Sequence, residues 1–164
     1  MKRSMRLKRR RDAWKGLLAG AVGGCAGSFT MSLLHALMRR GDASSQQPTE
    51  DSTVKVATAI SQRVFHHELN EQQKKIAAPV VHYSFGTSVG AVYGTLMESR
   101  QVIHAGWGLP FGVVVWLAAH VIAVPALELS EPVIKSALRS EAAEFGAHLV
   151  YGVTVESVRR LLRM

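Results

Sequence analysis

The chain has 164 residues, 48% of them hydrophobic, with a formal net charge of +8. Its single cysteine, Cys25, excludes an internal disulfide and any multi-cysteine metal centre. No glycine-rich loop leads into the lysine and hydroxyl of a phosphate cradle, no internal repeat is apparent, and the charges crowd into the N-terminal tail, the middle and the C-terminus.

The opening MKRSMRLKRRRDAWKG would suit a phosphate backbone if it stood alone. Directly behind it runs LLAGAVGGCAGSFTMSLLHALM, an apolar stretch long enough to cross a bilayer. Cationic residues beside a first apolar segment hold that flank in the cytoplasm, so the tail reads as a topology signal and nucleic acid is not expected as a partner. The VGGC sequence is a poor lipoprotein signal, since cleavage would fall inside an apolar run that continues to Met38. Residues 1–13 are thus a basic cytoplasmic tail, and 14–164 a single membrane domain.

Spans are predicted at about 14–38, 77–97, 102–124 and 142–160, each near the roughly 20 residues that a bilayer core requires. Between the first two, a Ser/Gln/Pro-rich loop leads into an amphipathic helix over about 50–70. There Val56, Ile60 and Val64, with Ala57 and Phe65 beside them, form one apolar stripe, and Glu50 and Asp51 suit the first turn. The third span holds Pro110, which predicts a kink or a late start at GWGLP. The fourth carries Glu144 and Glu156, and a soluble amphipathic helix is the alternative there. The expected class is all-α: a polytopic membrane bundle of four transmembrane helices plus one amphipathic helix, with both termini cytoplasmic.

Residues four apart make a slanting stripe on a helix of 3.6 residues per turn. Gly86, Gly90 and Gly94 lie on such a stripe in the second span, with His82 at its end. Gly16, Gly20 and Gly24 do so in the first, and Gly23, Gly27, Met31 and His35 form a second line there. The third span aligns Gly108, Gly112, Trp116 and His120; the fourth aligns Glu144, His148, Gly152 and Glu156. In lipid, small residues let helix backbones approach closely, so packing accounts for the glycines.

His35, His82, His120 and His148 all fall in the outer third of these spans, with Glu144 one turn from His148. Three readings stay open: interfacial histidines bonded to carbonyls or headgroups, a divalent transition-metal site, or a group that takes up and relays protons. No HxxxH spacing supports the metal, and the adjacent His66 and His67 read as surface residues. On the inner side Glu98, His104 and Glu156 come near Arg100, Arg159 and Arg160, a grouping that boundary ion pairs explain.

The stretches HYSFGTSVGAVYG, WLAAHVIAVPALELS and EFGAHLVYGVTVESVRR together resemble the YagU-like family of small bacterial inner-membrane proteins, a domain of unknown function. The resemblance covers about residues 78–163, with matching positions that include His82, Glu98, His120, Pro125, Glu144, Gly146, His148, Glu156, Arg159 and Arg160; His35 stands outside it. Where the family has a small residue and a proline pair after the third helix, this chain has Glu128, Ser130, Glu131 and Pro132. The resemblance implies an integral helical protein of the bacterial inner membrane with no established enzyme activity and supplies no catalytic residues. No nucleophile–base pair appears, Ser84 and Ser88 have no special context, and neither an enzyme activity nor a cofactor is expected. Two functions remain: pH or ion homeostasis of the envelope through the outer His/Glu cluster, or a structural module whose glycine stripes bind a membrane partner or a second copy.

Overall fold

The computed structural model describes residues 2–41, 52–99, 106–119 and 138–164. His104, His120 and Pro125 lie outside them, as do Arg100 and the turn around Glu131. Among the described residues the protein is all-α, with five helices: α1 (Lys2–Gly41), α2 (Ser52–Phe65), α3 (Glu71–Ser99), α4 (Leu109–Trp116) and α5 (Leu138–Arg163).

The glycine stripes set the architecture. α1 and α3 run antiparallel, with Gly16 against Gly94, Gly20 against Gly90, and Gly24 against Gly86. A methyl group on Gly90 would lie 2.5 Å from the carbonyl oxygen of Gly20, so only glycine permits this approach. The second glycine line of α1 receives α5. There a Cβ on Gly23 would sit 2.8 Å from the Val155 carbonyl oxygen, and Gly27 lies under the ring of Tyr151. α4 is antiparallel to α5, with Gly108 on Gly152 and Gly112 on His148. Four helices therefore alternate in direction, and the start of α1 and the end of α5 lie at the same end of the bundle.

The centre is filled by Met31, Tyr93, Val115, Ala147, Tyr151 and Val155. Phe111 of α4 stacks on Tyr93 of α3 at 4.0 Å between ring centroids, and the Tyr151 hydroxyl donates to the Gly86 carbonyl at 2.6 Å. Aromatic rings thus fill the space where helices stand apart, and glycines occupy the lines where they touch.

Several expectations change. α3 starts at Glu71, ahead of the predicted span at 77, because Asn70 and Gln73 cap it reciprocally. The Gln73 N–H donates to Asn70 Oδ1 and the Asn70 N–H to Gln73 Oε1, both at 2.9 Å. Glu71 sits in that first turn, and the Lys74 ammonium 2.8 Å away holds its carboxyl below the ordinary range. The helix then continues through Pro79. α2 ends at Phe65 instead of about 70, where His66 turns the chain with a positive φ of 51°. Its main contacts are with α3, and its buried residues are Ala57 and Ser61, whereas Ile60, Val64 and Phe65 of the apolar stripe are exposed. The proline-bearing third segment does start late: α4 begins at Leu109 with Pro110 in its first turn.

Within the described residues one helix is both long and apolar enough to cross a membrane, over Asp12–Met38 of α1. The segment Leu109–Ala119 is apolar but shorter. α3 opens on the polar Glu71, Lys74 and Lys75, and α5 carries Glu141, Glu144, Glu156, Arg159, Arg160 and Arg163, which lowers its hydropathy.

Candidate functional site

Polar side chains collect at two places. At the end shared by the start of α1 and the end of α5, Glu156 is 1% exposed and Arg159 4%. Arg159 grips Glu156 with two parallel bonds, Nε to Oε2 at 2.8 Å and Nη2 to Oε1 at 2.9 Å. Arg160 Nε donates to the same Oε1, and the Tyr93 hydroxyl reaches Oε2 from α3 at 3.0 Å. The third nitrogen of Arg159 extends to Glu98 of α3 at 3.2 Å. Arg163 closes the group with Nε and Nη2 on the two oxygens of Glu98, at 2.9 and 3.1 Å.

This is a network in which each buried charge has several partners. Its geometry follows from helix spacing: Glu156, Arg159, Arg160 and Arg163 are three, four and seven residues apart, hence on one side of α5. The turn before α4 contributes as well. Gly106, Trp107 and Gly108 have successive positive φ values of 88°, 47° and 87°. For a tryptophan that conformation costs on the order of 1–2 kcal/mol, and two side-chain contacts hold it. The indole N–H donates to Ser157 Oγ at 3.1 Å, and the Arg160 guanidinium lies 4.1 Å over the ring.

The histidines occupy the other part of the bundle. His35 Nε2 stands 3.3 Å from Glu144 Oε1, linking α1 to α5, with the two side chains about a quarter and a third exposed. His148, buried, donates Nδ1–H to the Glu144 backbone carbonyl at 2.8 Å. His82 Nε2 donates to the Ser28 carbonyl at 3.3 Å, where α3 crosses α1.

The expected site is therefore rearranged. Glu144 directs its carboxylate to His35 on the neighbouring helix, and His148 on its own helix donates to its main-chain carbonyl. His82 has a third, separate partner, and His120 lies outside the described residues. Among the described residues no group of three or more His, Cys, Asp or Glu is arranged to hold a metal ion. His82 and His148 each donate to a backbone carbonyl. On the charged side, Glu98, Glu156, Arg159 and Arg160 do come together; Arg163, Tyr93 and Trp107 were missed. The i, i+3, i+4, i+7 series from Glu156 to Arg163 was a signal for the first of these.

Gly86, Gly90, Gly94, Gly108, Gly112 and Gly152 are all buried against other helices of the same chain. The glycine stripes are thus consumed inside the bundle and do not face outward.

Residues 31–157 match a family described as a protein of unknown function (DUF1440), which is more than half of the chain. The chain belongs to the DUF1440 family. The DUF1440 match begins within α1, well before the stretch that carried the resemblance, and it takes in His35. It also includes Glu98, Glu144, His148 and Glu156, and ends before Arg159. The charged network of this DUF1440 protein thus straddles the end of the matched region. No curated protein and no solved structure matches the chain.

Proposed function

We propose that this DUF1440 protein is a multi-pass protein of the bacterial inner membrane, similar to the YagU-like proteins, and that its His35–Glu144 pair responds to protons on the outer side in envelope pH or ion homeostasis. Membrane placement is supported by the inside-out distribution of side chains. Trp14, Leu18, Val22, Phe29, Leu33 and Leu37 of α1, with Val80, Phe85, Val92 and Leu96 of α3, are exposed, while Glu156, Arg159 and His148 are buried. A continuous apolar surface of this kind is rare on a soluble monomer and ordinary against lipid tails.

The observation that carries the proton-linked role is the 3.3 Å contact between His35 and Glu144. It joins two helices through the side chain whose charge changes closest to neutral pH. Both side chains are partly exposed, while His35 Nε2 itself is buried at the contact. His148, one turn along α5, is held by its bond to the Glu144 carbonyl and keeps the second imidazole beside the pair. The recruitment role through glycine stripes has less support, since those stripes already contact one another.

The test is a histidine titration followed by NMR on the full chain in lipid nanodiscs, with and without Glu144→Gln. This substitution removes the charge and nearly preserves the shape. The His35 titration should shift most, while that of His82, bonded to Ser28, stays close to the wild-type curve. An unchanged His35 curve would remove the pair as a proton-responsive element.

A further inference from the structure

α2 joins the bundle through small residues and keeps its large ones outside. It packs on α3, and its buried residues are Ala57 and Ser61. At 3.6 residues per turn these two lie on one line of the helix. Ile60 and Val64 fall to one side of that line and Phe65 to the other, and they are 44, 63 and 70% exposed. Lys55, Gln62 and Arg63 lie on the opposite side of the helix. The large apolar side chains therefore straddle the contact with α3 instead of filling it.

The corner that follows fixes this orientation. The Ser61 hydroxyl donates to the His67 carbonyl at 2.8 Å, and the His67 N–H donates to the Ser61 carbonyl at 3.2 Å. The His67 ring donates through Nε2 to Gln73 Oε1 at 3.3 Å, and that oxygen also accepts the Asn70 N–H. The last turn of α2 is thus tied to the first turn of α3. The corner itself is polar, with His66, Glu68, Asn70, Gln72 and Lys75 exposed. On both sides of it the surface becomes apolar: Val64 and Phe65 close α2, and α3 presents Ile76 and Val80. A hydrated tip with apolar shoulders is the outline of a segment held at a boundary between water and lipid.

Charge and size favour lipid over protein as the occupant. α2 carries Lys55 and Arg63 and no acidic residue, which complements anionic headgroups. A stable protein contact takes about 800 Å² from each partner, well beyond what three partly exposed side chains supply. A lipid boundary has no such threshold, because each apolar side chain gains by its own burial.

We propose that α2 is a lipid-binding anchor: Ile60, Val64 and Phe65 enter the boundary between headgroups and acyl chains of the outer leaflet, and Lys55 and Arg63 engage anionic phospholipid. This rests on the membrane placement proposed above and adds to it a surface element that binds lipid without crossing.

Fluorescence quenching of the full-length protein in nanodiscs of phosphatidylcholine and phosphatidylglycerol tests it. In a Cys25→Ser background, an environment-sensitive fluorophore is attached at Val64→Cys, Gln62→Cys or Val92→Cys. Quenchers are aqueous iodide and lipids brominated in their acyl chains. Val92, exposed in the middle of α3, reports on the membrane placement alone. The label at Val64 should be quenched several-fold less by iodide than that at Gln62, and should be quenched by lipid brominated near the headgroup. A larger share of phosphatidylglycerol should increase this protection, and Lys55→Gln combined with Arg63→Gln should abolish the increase. Protection indifferent to phosphatidylglycerol overturns the role of the two cations. Equal iodide quenching at Val64 and Gln62, with Val92 still quenched by brominated lipid, overturns the anchor and leaves the membrane placement standing. Iodide quenching at Val92 as well removes the placement and the anchor with it. Protection of Val64 that brominated lipid does not match, and that is lost at one protein per nanodisc, assigns the surface to a second copy and overturns the lipid anchor.

Discussion

Glu156 concentrates the energetics of the charged end in one carboxylate. It is 1% exposed and accepts from Arg159, Arg160 and Tyr93. Its value to stability lies in what its loss leaves behind: a guanidinium buried with too few acceptors. Removing one member of a buried ion pair costs about 3–5 kcal/mol, whereas deleting a single hydroxyl donor costs about 1 kcal/mol. Glu156→Ala should therefore lower the thermal stability in detergent far more than Tyr93→Phe. Comparable losses would mean that the network adds little to holding α3 against α5. The cluster was partly legible in the sequence, because Glu156, Arg159 and Arg160 lie on one side of a helix. Tyr93 and Trp107 were not, since they arrive from other elements and depend on register across the bundle. His35 illustrates the same limit. Periodicity placed it on a glycine line, but only the pairing of Gly23 and Gly27 with Val155 and Tyr151 brings it to Glu144.

At the level of elements, hydropathy and local chemistry competed, and each prevailed in a different place. The sequence Asn-Glu-Gln-Gln before α3 carries a reciprocal cap that begins the helix at Glu71, while the apolar run alone pointed to 77. On α2 the large apolar stripe was legible, but the helix packs through Ala57 and Ser61. Small residues allow close approach, and Ser61 is further tied to His67 by its hydroxyl at 2.8 Å. The α1–α3 contact was the most legible feature, as both stripes repeat every four residues. It yields a prediction. Gly90→Leu would drive a side chain into the Gly20 carbonyl and the Gly24 backbone, whereas Val92, 60% exposed, has room for change. Overpacking costs about 1–3 kcal/mol in an ordinary core, and backbone against backbone leaves less scope to relax. Gly90→Leu should thus cost about 3 kcal/mol or more, and Val92→Leu under about 1 kcal/mol, in thermal denaturation of the detergent-solubilised protein. Equal stability would show that α1 and α3 do not meet along this groove.

For the whole molecule, the proposed membrane arrangement draws on the directions of the helices and the placement of charge. α1 opposes α3 and α5 opposes α4, so the four helices alternate in direction along the chain. The basic start of α1 and the arginines closing α5 share one end, and α3 brings Glu98 to it. Cationic flanks are retained in the cytoplasm, which makes this the inner end under the proposed placement and the His35–Glu144 pair an outer feature. Reporter fusions after Ser45, Arg100, Ser136 and Met164 should then read outside, inside, outside and inside. The fusion after Ser136 decides most. α5 carries the buried Glu156 and Arg159, which are expensive to insert singly but enter together as a bonded pair, screened by Tyr93 and by Glu98. A periplasmic signal after Ser136 with a cytoplasmic one after Met164 means that α5 crosses with its ion pairs intact. A cytoplasmic signal at both positions would leave α5 on the inner surface and remove the outer location of Glu144, and with it the proton-responsive role proposed for its contact with His35.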